Sequence, residues 1–314
     1  MEDAASARKV SLLCPICEAG EVTVLYPEAR DYITKDPFQV LACKKCSTSW
    51  THPVPGNLEP YYPRSYRRYN AIIIAILKLL YRRRVARWNR LFAKPGAALE
   101  LGCGDGFMLN ALRSLGWDVC GTERTEEMAR FAREHFGLPV FVEGSQQIPH
   151  GKAFDLVIMF QVLEHLADPL PQLKRACSLL SEGGRLIIGV PNFASWQASY
   201  GGDGWFHLDV PRHLFHWSPD ALREAASRCG LRVESISFAS IEHDPYGWVQ
   251  TILNRQFGNG NRLTRLLMRA ERWQAKDIAT LMLAALLSIP AFALSLISWA
   301  CGRGAIMQGV LARR

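Results

Sequence analysis

The stretch Leu99-Glu100-Leu101-Gly102-Cys103-Gly104-Asp105-Gly106 decides the fold of this chain. It is a short apolar run that ends in a glycine-rich turn, and the residues from Phe107 to Leu112 have the apolar spacing of a helix. A strand, a glycine-rich turn and a helix form the first unit of a doubly wound sheet, in which the glycines let the backbone approach a bound ligand closely. The stretch therefore predicts an α/β domain that begins near residue 95.

Four further apolar stretches extend this sheet. They cover residues 117–123, 140–144, 154–160 and 184–192, and helical stretches separate them. Such alternation is typical of an α/β fold with a mainly parallel sheet. The first of the four ends in Glu123, which is where an acid would accept hydrogen bonds from the hydroxyls of a ribose.

Together these motifs resemble the class I S-adenosylmethionine (SAM)-dependent methyltransferases over residues 95–240. The likeness rests on the glycine stretch, Gly121-Thr122-Glu123, the segments 154–157 and 162–169, and residues 179–186, in the family's order. The resemblance implies a Rossmann-like, doubly wound sheet of seven strands. It also implies roles in binding SAM: the methionine part would lie on the backbone of the glycine loop, Glu100 would orient its ammonium group, and Glu123 would hold the ribose; the loop glycines are Gly102, Gly104 and Gly106.

The adenine contact departs from the family pattern. Many relatives carry an acid near the adenine amino group at the position of Ser145. The resemblance therefore implies that Ser145, Gln146 or Gln147 supplies that hydrogen bond. Gln161 completes the expected cofactor site.

Glu164 and His165 follow the fourth strand, at the carboxyl edge where open α/β sheets bind ligands. In the similar ubiquinone-pathway O-methyltransferases, a Glu-x-x-Glu-His motif at this place is a metal site, whereas this chain has Gln161 in the first position. We expect His165 to act as a base or a substrate contact, with Glu164 beside the substrate. A metal site and a network at the start of a helix are the alternatives.

A glycine-opened loop over residues 201–218 concentrates polar and aromatic side chains directly after the fifth strand. An ordinary core does not need so many polar groups, so we interpret the loop as a substrate lid. Ser218 is a good N-cap for the helix that follows, and His216 adjoins it. The roles expected within the lid are a base for His207 or His213, stacking on a sugar or ring for Trp205, binding of an anionic group for Arg212, and a substrate contact for Asp209.

Four cysteines form two C-x2-C knuckles separated by 25 residues. A tetrahedral zinc ion needs four such ligands, and each tight knuckle directs two thiolates to one point. A module of this size is too small to be held together by core burial alone, so a metal is expected to stabilise it. The sequence predicts a closed, structural zinc site formed by Cys14, Cys17, Cys43 and Cys46.

Charge is distributed unevenly along the chain of 314 residues, whose net charge is +8. Residues 96–260 are acidic, whereas both flanks are basic. Residues 64–94 contain ten basic residues and no acid, which predicts a basic amphipathic helix that packs on the next domain or rests on an anionic membrane surface.

Residues 278–302 contain no charged residue. As a helix they would extend about 37 Å, which exceeds the ~30 Å hydrocarbon core of a bilayer. We expect this segment to enter a membrane, either as one span kinked at Pro290 or as two half-length helices that dip in and return. The basic residues before the segment predict that this side faces the cytosol.

The sequence thus predicts four parts: a zinc ribbon (1–60), a basic helix and linker (61–94), a methyltransferase domain (95–260) and a membrane-associating segment (261–314). The expected activity is SAM-dependent methyl transfer to an oxygen of a small, saccharide or lipid-linked acceptor, by a catalytic domain in the cytosol at the membrane face. The alternatives are a sugar C-methyltransferase, an rRNA methyltransferase and a non-catalytic SAM-binding protein. Phe160-Gln161-Val162-Leu163 replaces the Asn/Asp-Pro-Pro-aromatic turn of amine-methylating nucleic-acid enzymes, which argues against nucleic acid as the substrate.

Overall fold

A computed structural model describes residues 12–62, 71–143, 153–268, 271–275 and 277–314. In these residues, seven strands form a mixed sheet with helices around it, and four strands form a small antiparallel sheet. The α/β fold, its seven-stranded sheet and the separate N-terminal cysteine module agree with the sequence-based expectation.

The small sheet begins with β1 (Val22–Arg30), β2 (Pro37–Cys43) and β3 (Ser49–His52), which pair antiparallel in chain order. Asp31 stabilises the turn between β1 and β2, because its Oδ2 accepts hydrogen bonds from the backbone N–H groups of Ile33 (2.9 Å) and Thr34 (2.5 Å). Asp31 is fully buried.

Helix α1 (Ala71–Asn89) follows and packs against the first helix of the main domain. The arginine side chains near its C-terminal end lie partly in solvent and partly in the core. Arg82, Arg83 and Arg87 are exposed. Arg84 is buried, pairs with Glu242 and lies over the Phe160 ring, with its guanidinium carbon 4.1 Å from the ring centroid. Helix α1 therefore packs on the next domain, which was one of the two alternatives for this basic segment, and Arg84 faces the interior.

The five sequence-predicted strands are all present, and they alternate with helices. The elements are β4 (Ala97–Leu101), α2 (Phe107–Arg113), β5 (Asp118–Glu123), α3 (Glu126–Phe136), β6 (Val140–Val142), β7 (Phe154–Phe160), α4 (Pro169–Leu179) and β8 (Leu180–Pro191). In the main sheet these strands lie side by side in the order β8, β7, β4, β5 and β6, and each strand is parallel to its neighbours.

The rest of the chain completes both sheets. Ser218 caps its helix as predicted, since its Oγ accepts a hydrogen bond of 3.1 Å from the backbone N–H of Ala221. The elements are α5 (Trp196–Gly201), β9 (Phe215–His216), α6 (Pro219–Arg228), β10 (Leu231–Ser237), α7 (Asp244–Phe257), α8 (Arg262–Leu267), α9 (Asp277–Ala300) and β11 (Ile306–Arg313).

Two strands cross the expected divisions of the chain. β11 lies between β8 and β10 and is antiparallel to both, so the main sheet extends beyond residue 260. β9, from the predicted lid, pairs with β3 and becomes the fourth strand of the N-terminal sheet. The boundaries at residues 60 and 260 are therefore not boundaries of the two sheets, because backbone pairing joins segments that are distant in sequence.

Helix α9 is the apolar segment expected near the C-terminal end of the sequence. In the part of the chain that the structure describes, it is the one helix long and apolar enough to cross a membrane, by length and composition only. It continues through Pro290 as a single helix, so the alternative of two half-length helices is wrong. One stripe of α9 is buried and packs mainly against α7.

Candidate active site

The glycine loop connects β4 to α2 at the carboxyl edge of the sheet. Gly102, Gly104 and Gly106 have φ values of 72°, 54° and 77°, in the left-handed region that favours glycine. A Cβ on Gly102 would lie 2.6 Å from Cγ2 of Val162, and one on Gly106 would lie 2.8 Å from Leu138. Glycine is therefore required at both places, and the loop packs directly on the residues that follow β7.

Glu123 ends β5 beside this loop. Its Oε2 accepts a hydrogen bond of 3.0 Å from the backbone N–H of Gly104, and its Oε1 accepts one of 3.1 Å from the backbone N–H of Thr125. These bonds fix the carboxylate at the edge of the glycine loop. A carboxylate has about four acceptor positions, so capacity for a ligand's hydroxyl groups remains.

Glu100 lies on β4 beneath the loop and is 1% exposed. Its Oε2 has no hydrogen-bond partner in the described residues. Burial raises its pKa well above the usual value, the neighbouring charges of Asp105 and Glu123 raise it further, and Arg84 opposes them. A bound cation would relieve this cost, so the site fits the ammonium group of SAM in its charge and its open acceptor.

The remaining predicted cofactor contacts are placed only in part. Ser145 and Gln146 lie outside the described residues. Gln161 follows β7 with φ of 56°, and its backbone N–H donates to the carbonyl oxygen of Gly189 at 2.8 Å. Its side-chain Nε2 is buried with no hydrogen-bond partner in the described part of the chain. Gln161 therefore stays a predicted cofactor contact, at the sheet edge where such a contact is needed.

An acid–imidazole cluster, formed by Glu164, His165 and His213, lies beside Val162. One potential ligand atom from each residue lies within 4.8 Å of the others. Glu164 is 1% exposed, and neither carboxyl oxygen has a hydrogen-bond partner in the described residues. Burial raises its pKa to about 8, so the carboxyl group is mainly protonated at neutral pH.

Backbone carbonyl groups set the tautomers of the two imidazoles. Nδ1 of His213 lies 2.8 Å from the carbonyl oxygen of His207, and Nδ1 of His165 lies 2.9 Å from that of Arg212. A carbonyl only accepts, so Nδ1 of each ring carries a proton, and in the neutral form of either ring the lone pair is on Nε2. Burial lowers the pKa of His213 although Asp209 opposes the shift, so its ring is neutral and able to accept a proton.

His207, the other predicted base, lies against helix α7. Its Nε2 has no hydrogen-bond partner in the described residues, and a Cβ added to Gly247 would lie 3.0 Å from it. Burial lowers the pKa of His207 to about 3. Of the two imidazoles, His213 is the one that belongs to the cluster with Glu164.

Arg212 has its hydrogen-bonding capacity filled by the protein. Its Nη1 donates to Asp31 Oδ1 at 2.7 Å and to the carbonyl oxygen of Tyr61, while Nε and Nη2 donate to Asp209 Oδ1 at 3.0 and 2.8 Å. The second N–H of Nη2 is directed to the carbonyl oxygen of Val210 at 3.5 Å. The expected contact with an anionic substrate group is therefore wrong: Arg212 is buried and joins the lid to the N-terminal sheet.

Asp209 and Trp205 are also held by the protein. Burial alone would raise the pKa of Asp209, but Arg212 and His213 together lower it below its usual value. Its Oδ2 lies 4.0 Å from Nε2 of His213. Trp205 is 3% exposed and packs in a core cluster with Phe193, so stacking on a substrate is not possible in this conformation.

Thr51 is a contact of the site that the sequence did not reveal. Its hydroxyl donates to the carbonyl oxygen of His213 at 2.7 Å and lies 3.0 Å from Nε2 of His216. Its backbone N–H donates to the carbonyl oxygen of Leu214. No local pattern could have indicated these bonds, because they join residues more than 160 positions apart.

The four predicted cysteine ligands converge as expected. Sγ of Cys14 lies 3.5 Å from that of Cys46, Sγ of Cys17 lies 3.5 Å from that of Cys43, and all four lie within 4.8 Å of one another. Four sulfurs around a tetrahedral zinc ion would be ~3.8 Å apart. The cluster therefore has the donor set and size of a zinc site, and its buried residues belong to the same core cluster as Leu173 and Leu222 of the main domain.

Comparisons with known proteins identify methyltransferases that are similar to this chain. A family model described as a methyltransferase domain matches residues 73–236. The chain is 26% identical over 239 residues to the ubiquinone biosynthesis O-methyltransferase of Cereibacter sphaeroides, covering 71% of this chain and 92% of that protein. It is 32% identical over 164 residues to the enzyme of the same name from Xanthomonas campestris pv. campestris, covering 48% and 66%. A solved SAM-dependent methyltransferase from Archaeoglobus fulgidus aligns with a TM-score of 0.48 and 18% identity, over 78% of this chain and all of that one.

Proposed function

Because this chain belongs to the methyltransferase domain family and is a class I SAM-dependent methyltransferase, we propose that it methylates an oxygen of a small, saccharide or lipid-linked acceptor. The observation that carries this proposal is the acid–imidazole cluster beside the glycine loop, where a hydroxyl acceptor would find a neutral histidine. The names of the O-methyltransferase relatives support the choice of oxygen.

SAM supplies an electrophilic methyl group on a sulfonium, which is open to in-line attack. The chain's own part is to bind, orient and remove a proton. Glu100 and Glu123 hold the two ends of the cofactor's polar portion, and the acceptor lies beside Glu164. Holding the two reactants in line supplies much of the acceleration in such a transfer.

His213 is the proposed base. Its Nε2 would take the proton of the acceptor hydroxyl as the methyl group passes from the SAM sulfur to the acceptor oxygen, with S-adenosylhomocysteine as the leaving group, and Asp209, with an oxygen 4.0 Å away, would stabilise the resulting imidazolium. The imidazolium then releases the proton to water. Glu164, protonated at neutral pH, donates a hydrogen bond to a neighbouring oxygen of the acceptor. His165 contacts the acceptor; the alternative is that it joins Glu164 and His213 in binding a cation, since their potential ligand atoms lie within 4.8 Å of one another.

We further propose that Cys14, Cys17, Cys43 and Cys46 bind one structural zinc ion, and that the enzyme works at the cytosolic face of a membrane. The four-thiol cluster supports the first proposal. The apolar helix α9 and the exposed arginines of α1 support the second, because an apolar helix can enter a membrane and an anionic leaflet attracts exposed basic residues.

Incubation with methyl-labelled SAM and fractionated cell extract tests the activity, with lipid-linked and soluble products separated. We expect label in an O-methyl ether or ester, detected by NMR of the isolated product. Label on a carbon would favour sugar C-methylation, and label only in RNA would contradict the proposal. His213→Gln should abolish transfer while SAM binding persists, and His135→Gln, at an exposed position on α3, is the matched control.

A further inference from the structure

Helix α9 presents a long apolar face to solvent. Met282, Leu286, Ile289 and Ile297 are 70%, 73%, 81% and 52% exposed, and they recur at intervals of a helical face. No charged residue interrupts this surface between positions 278 and 302. Contiguous apolar patches of this kind are rare on soluble proteins and mark an interaction surface.

Both ends of α9 are fastened to the same folded body. At its start, Asp277 is buried and accepts hydrogen bonds of 2.6 and 2.8 Å from the guanidinium of Arg262. At its end, the Nε1–H of Trp299 donates to Asp244 Oδ2 at 2.6 Å, and β11 then joins the main sheet between β8 and β10. The helix is about 36 Å long at 1.5 Å per residue, and a span would place its ends on opposite sides of the bilayer.

The opposite stripe of α9 packs on the protein. Ala284, Ala291, Ser295 and Ser298 are buried, and the helix contacts α7 along this stripe. One face thus belongs to the domain and the other is apolar and exposed, which is the arrangement of a helix that lies in the plane of a membrane surface.

Helix α7 contacts both α9 and the lid. The hydroxyl of Thr251 on α7 accepts a hydrogen bond of 3.1 Å from the backbone N–H of Phe206, and Asn254 donates from Nδ2 to the carbonyl oxygen of Gly204 at 3.1 Å. Gly247 lies against His207. A surface that α9 rests on is therefore one helix layer away from the substrate loop.

We propose that α9 is an in-plane membrane anchor, whose exposed face enters one leaflet without crossing it and holds the lid next to acceptors in that leaflet. The proposal rests on the proposed function at a membrane and replaces the spanning helix that the sequence analysis expected. Lipid is favoured over a second copy of the chain by charge. The exposed Arg272 and Arg303 flank the helix, while the two acids near its start, Glu271 and Asp277, are paired with arginines. Trp273, half-exposed beside the start, suits the headgroup region.

Sedimentation of the full-length protein with vesicles tests this anchor. The vesicles contain phosphatidylcholine and phosphatidylglycerol, and the variant is Met282→Glu/Ile289→Glu. We expect the variant to bind at about a tenth of the wild-type extent or less, because two large apolar contacts with lipid are replaced by charges. Val54→Glu, also at an exposed apolar position but on the N-terminal module, should bind as the wild type does. Equal binding by the double variant overturns the proposal.

Labelling of Cys301 separates an in-plane helix from a span. Cys301 directly follows α9 and is the one exposed cysteine in the described residues. With protein added outside sealed vesicles, a membrane-impermeant maleimide should label it without detergent, and Cys301→Ser should remove that label. Protection of Cys301 until detergent is added overturns the proposal in favour of a span.

Two solution measurements complete the test. A lipid-free dimer that the double variant dissociates, detected by light scattering, would assign the face to a second copy and overturn the membrane proposal. SAM binding by calorimetry should be equal in wild type and variant. Absence of SAM binding by the wild type would instead contradict the methyltransferase function. Failure of the membrane proposal and failure of the proposed function are therefore distinguishable.

Discussion

Two groups of polar side chains, one that joins the lid to the N-terminal sheet and one near the carboxyl ends of β4 and β7, differ in whether their partners are present in the protein. In the paired network, Asp31, Arg212 and Asp209 direct their hydrogen bonds to one another and to the backbone. In the open cluster, Glu100 and Glu164 keep buried oxygen atoms without a partner in the described residues. Both groups contain acids in the interior, so residue type alone does not distinguish them.

The difference indicates which group is structural and which awaits a ligand. A buried charge is tolerated when a counter-charge and hydrogen bonds compensate it, as Arg212 is. An unpartnered buried acceptor costs about 1–3 kcal/mol, which a ligand can recover on binding. The family resemblance assigned Glu100 to the cofactor and the chemistry of the lid residues assigned Arg212 to the substrate, whereas their hydrogen-bond partners in the structure separate the two side chains.

The largest loss of stability should come from disrupting the four-cysteine metal site, because this site stabilises the N-terminal sheet that contributes Asp31 to the paired network. Cys43→Ser should lose about one zinc per chain and unfold the N-terminal sheet, because a structural zinc supplies roughly 10–16 kcal/mol of apparent binding free energy in small domains. Metal analysis and urea denaturation measure both effects. Cys301→Ser is the control and should keep its zinc. A wild type that is folded without metal would contradict the assignment.

The paired network itself is broken by Asp31→Asn. Removal of this charge leaves the buried Arg212 with one carboxylate partner, the partly exposed Asp209, instead of two, so the free energy of unfolding should fall by about 3–5 kcal/mol. Urea denaturation gives the value. Asp36→Asn, in the same hairpin but exposed, should change it little. An Asp31 variant as stable as the wild type would show that the pair is not a structural link.

On the ligand side, Glu123→Ala should weaken SAM binding by about 1.5–3 kcal/mol, because the ribose hydroxyls lose a charged acceptor. Calorimetry of SAM binding measures this change. Glu127→Ala, on the exposed side of α3, is the control and should bind SAM normally. If SAM affinity is the same in the Glu123 variant, the ribose assignment is refuted.

The smallest effect concerns the protonation of the open cluster. Burial raises the pKa of Glu164 to about 8 in the folded protein, so its contribution to stability is present below the unfolded value near 4.5 and is lost as pH rises towards and through 8. Unfolding of the ligand-free protein should reveal a loss of about 1–2 kcal/mol between pH 5 and 8, because water entering beside an ionised carboxylate relieves part of the desolvation.

Glu164→Gln should remove this part of the pH dependence, while Glu182→Gln, at an exposed position in β8, should not. Identical pH profiles for the wild type and the Glu164 variant would mean that Glu164 is already ionised in the folded state.

Local patterns were sufficient for the features that are built locally. The glycine loop, the five strands, the cysteine knuckles and the Ser218 cap each follow from neighbouring residues. The paired network did not follow, because Asp31 and Arg212 are 181 positions apart and either side chain alone resembles a binding residue. The insertion of β11 was also not predicted, since the sequence of an apolar strand does not indicate which strands it pairs with.

That insertion has a consequence for the order in which the molecule is made. β11 fills the gap between β8 and β10 and follows α9 in the chain, so the ribosome delivers it after every other strand of its sheet. Until residues 306–313 emerge, β8 and β10 present bare facing edges, and such edges invite aggregation. The nascent catalytic domain therefore stays incomplete while the apolar helix α9 has already been synthesised. This order favours synthesis close to the membrane surface that α9 is proposed to bind.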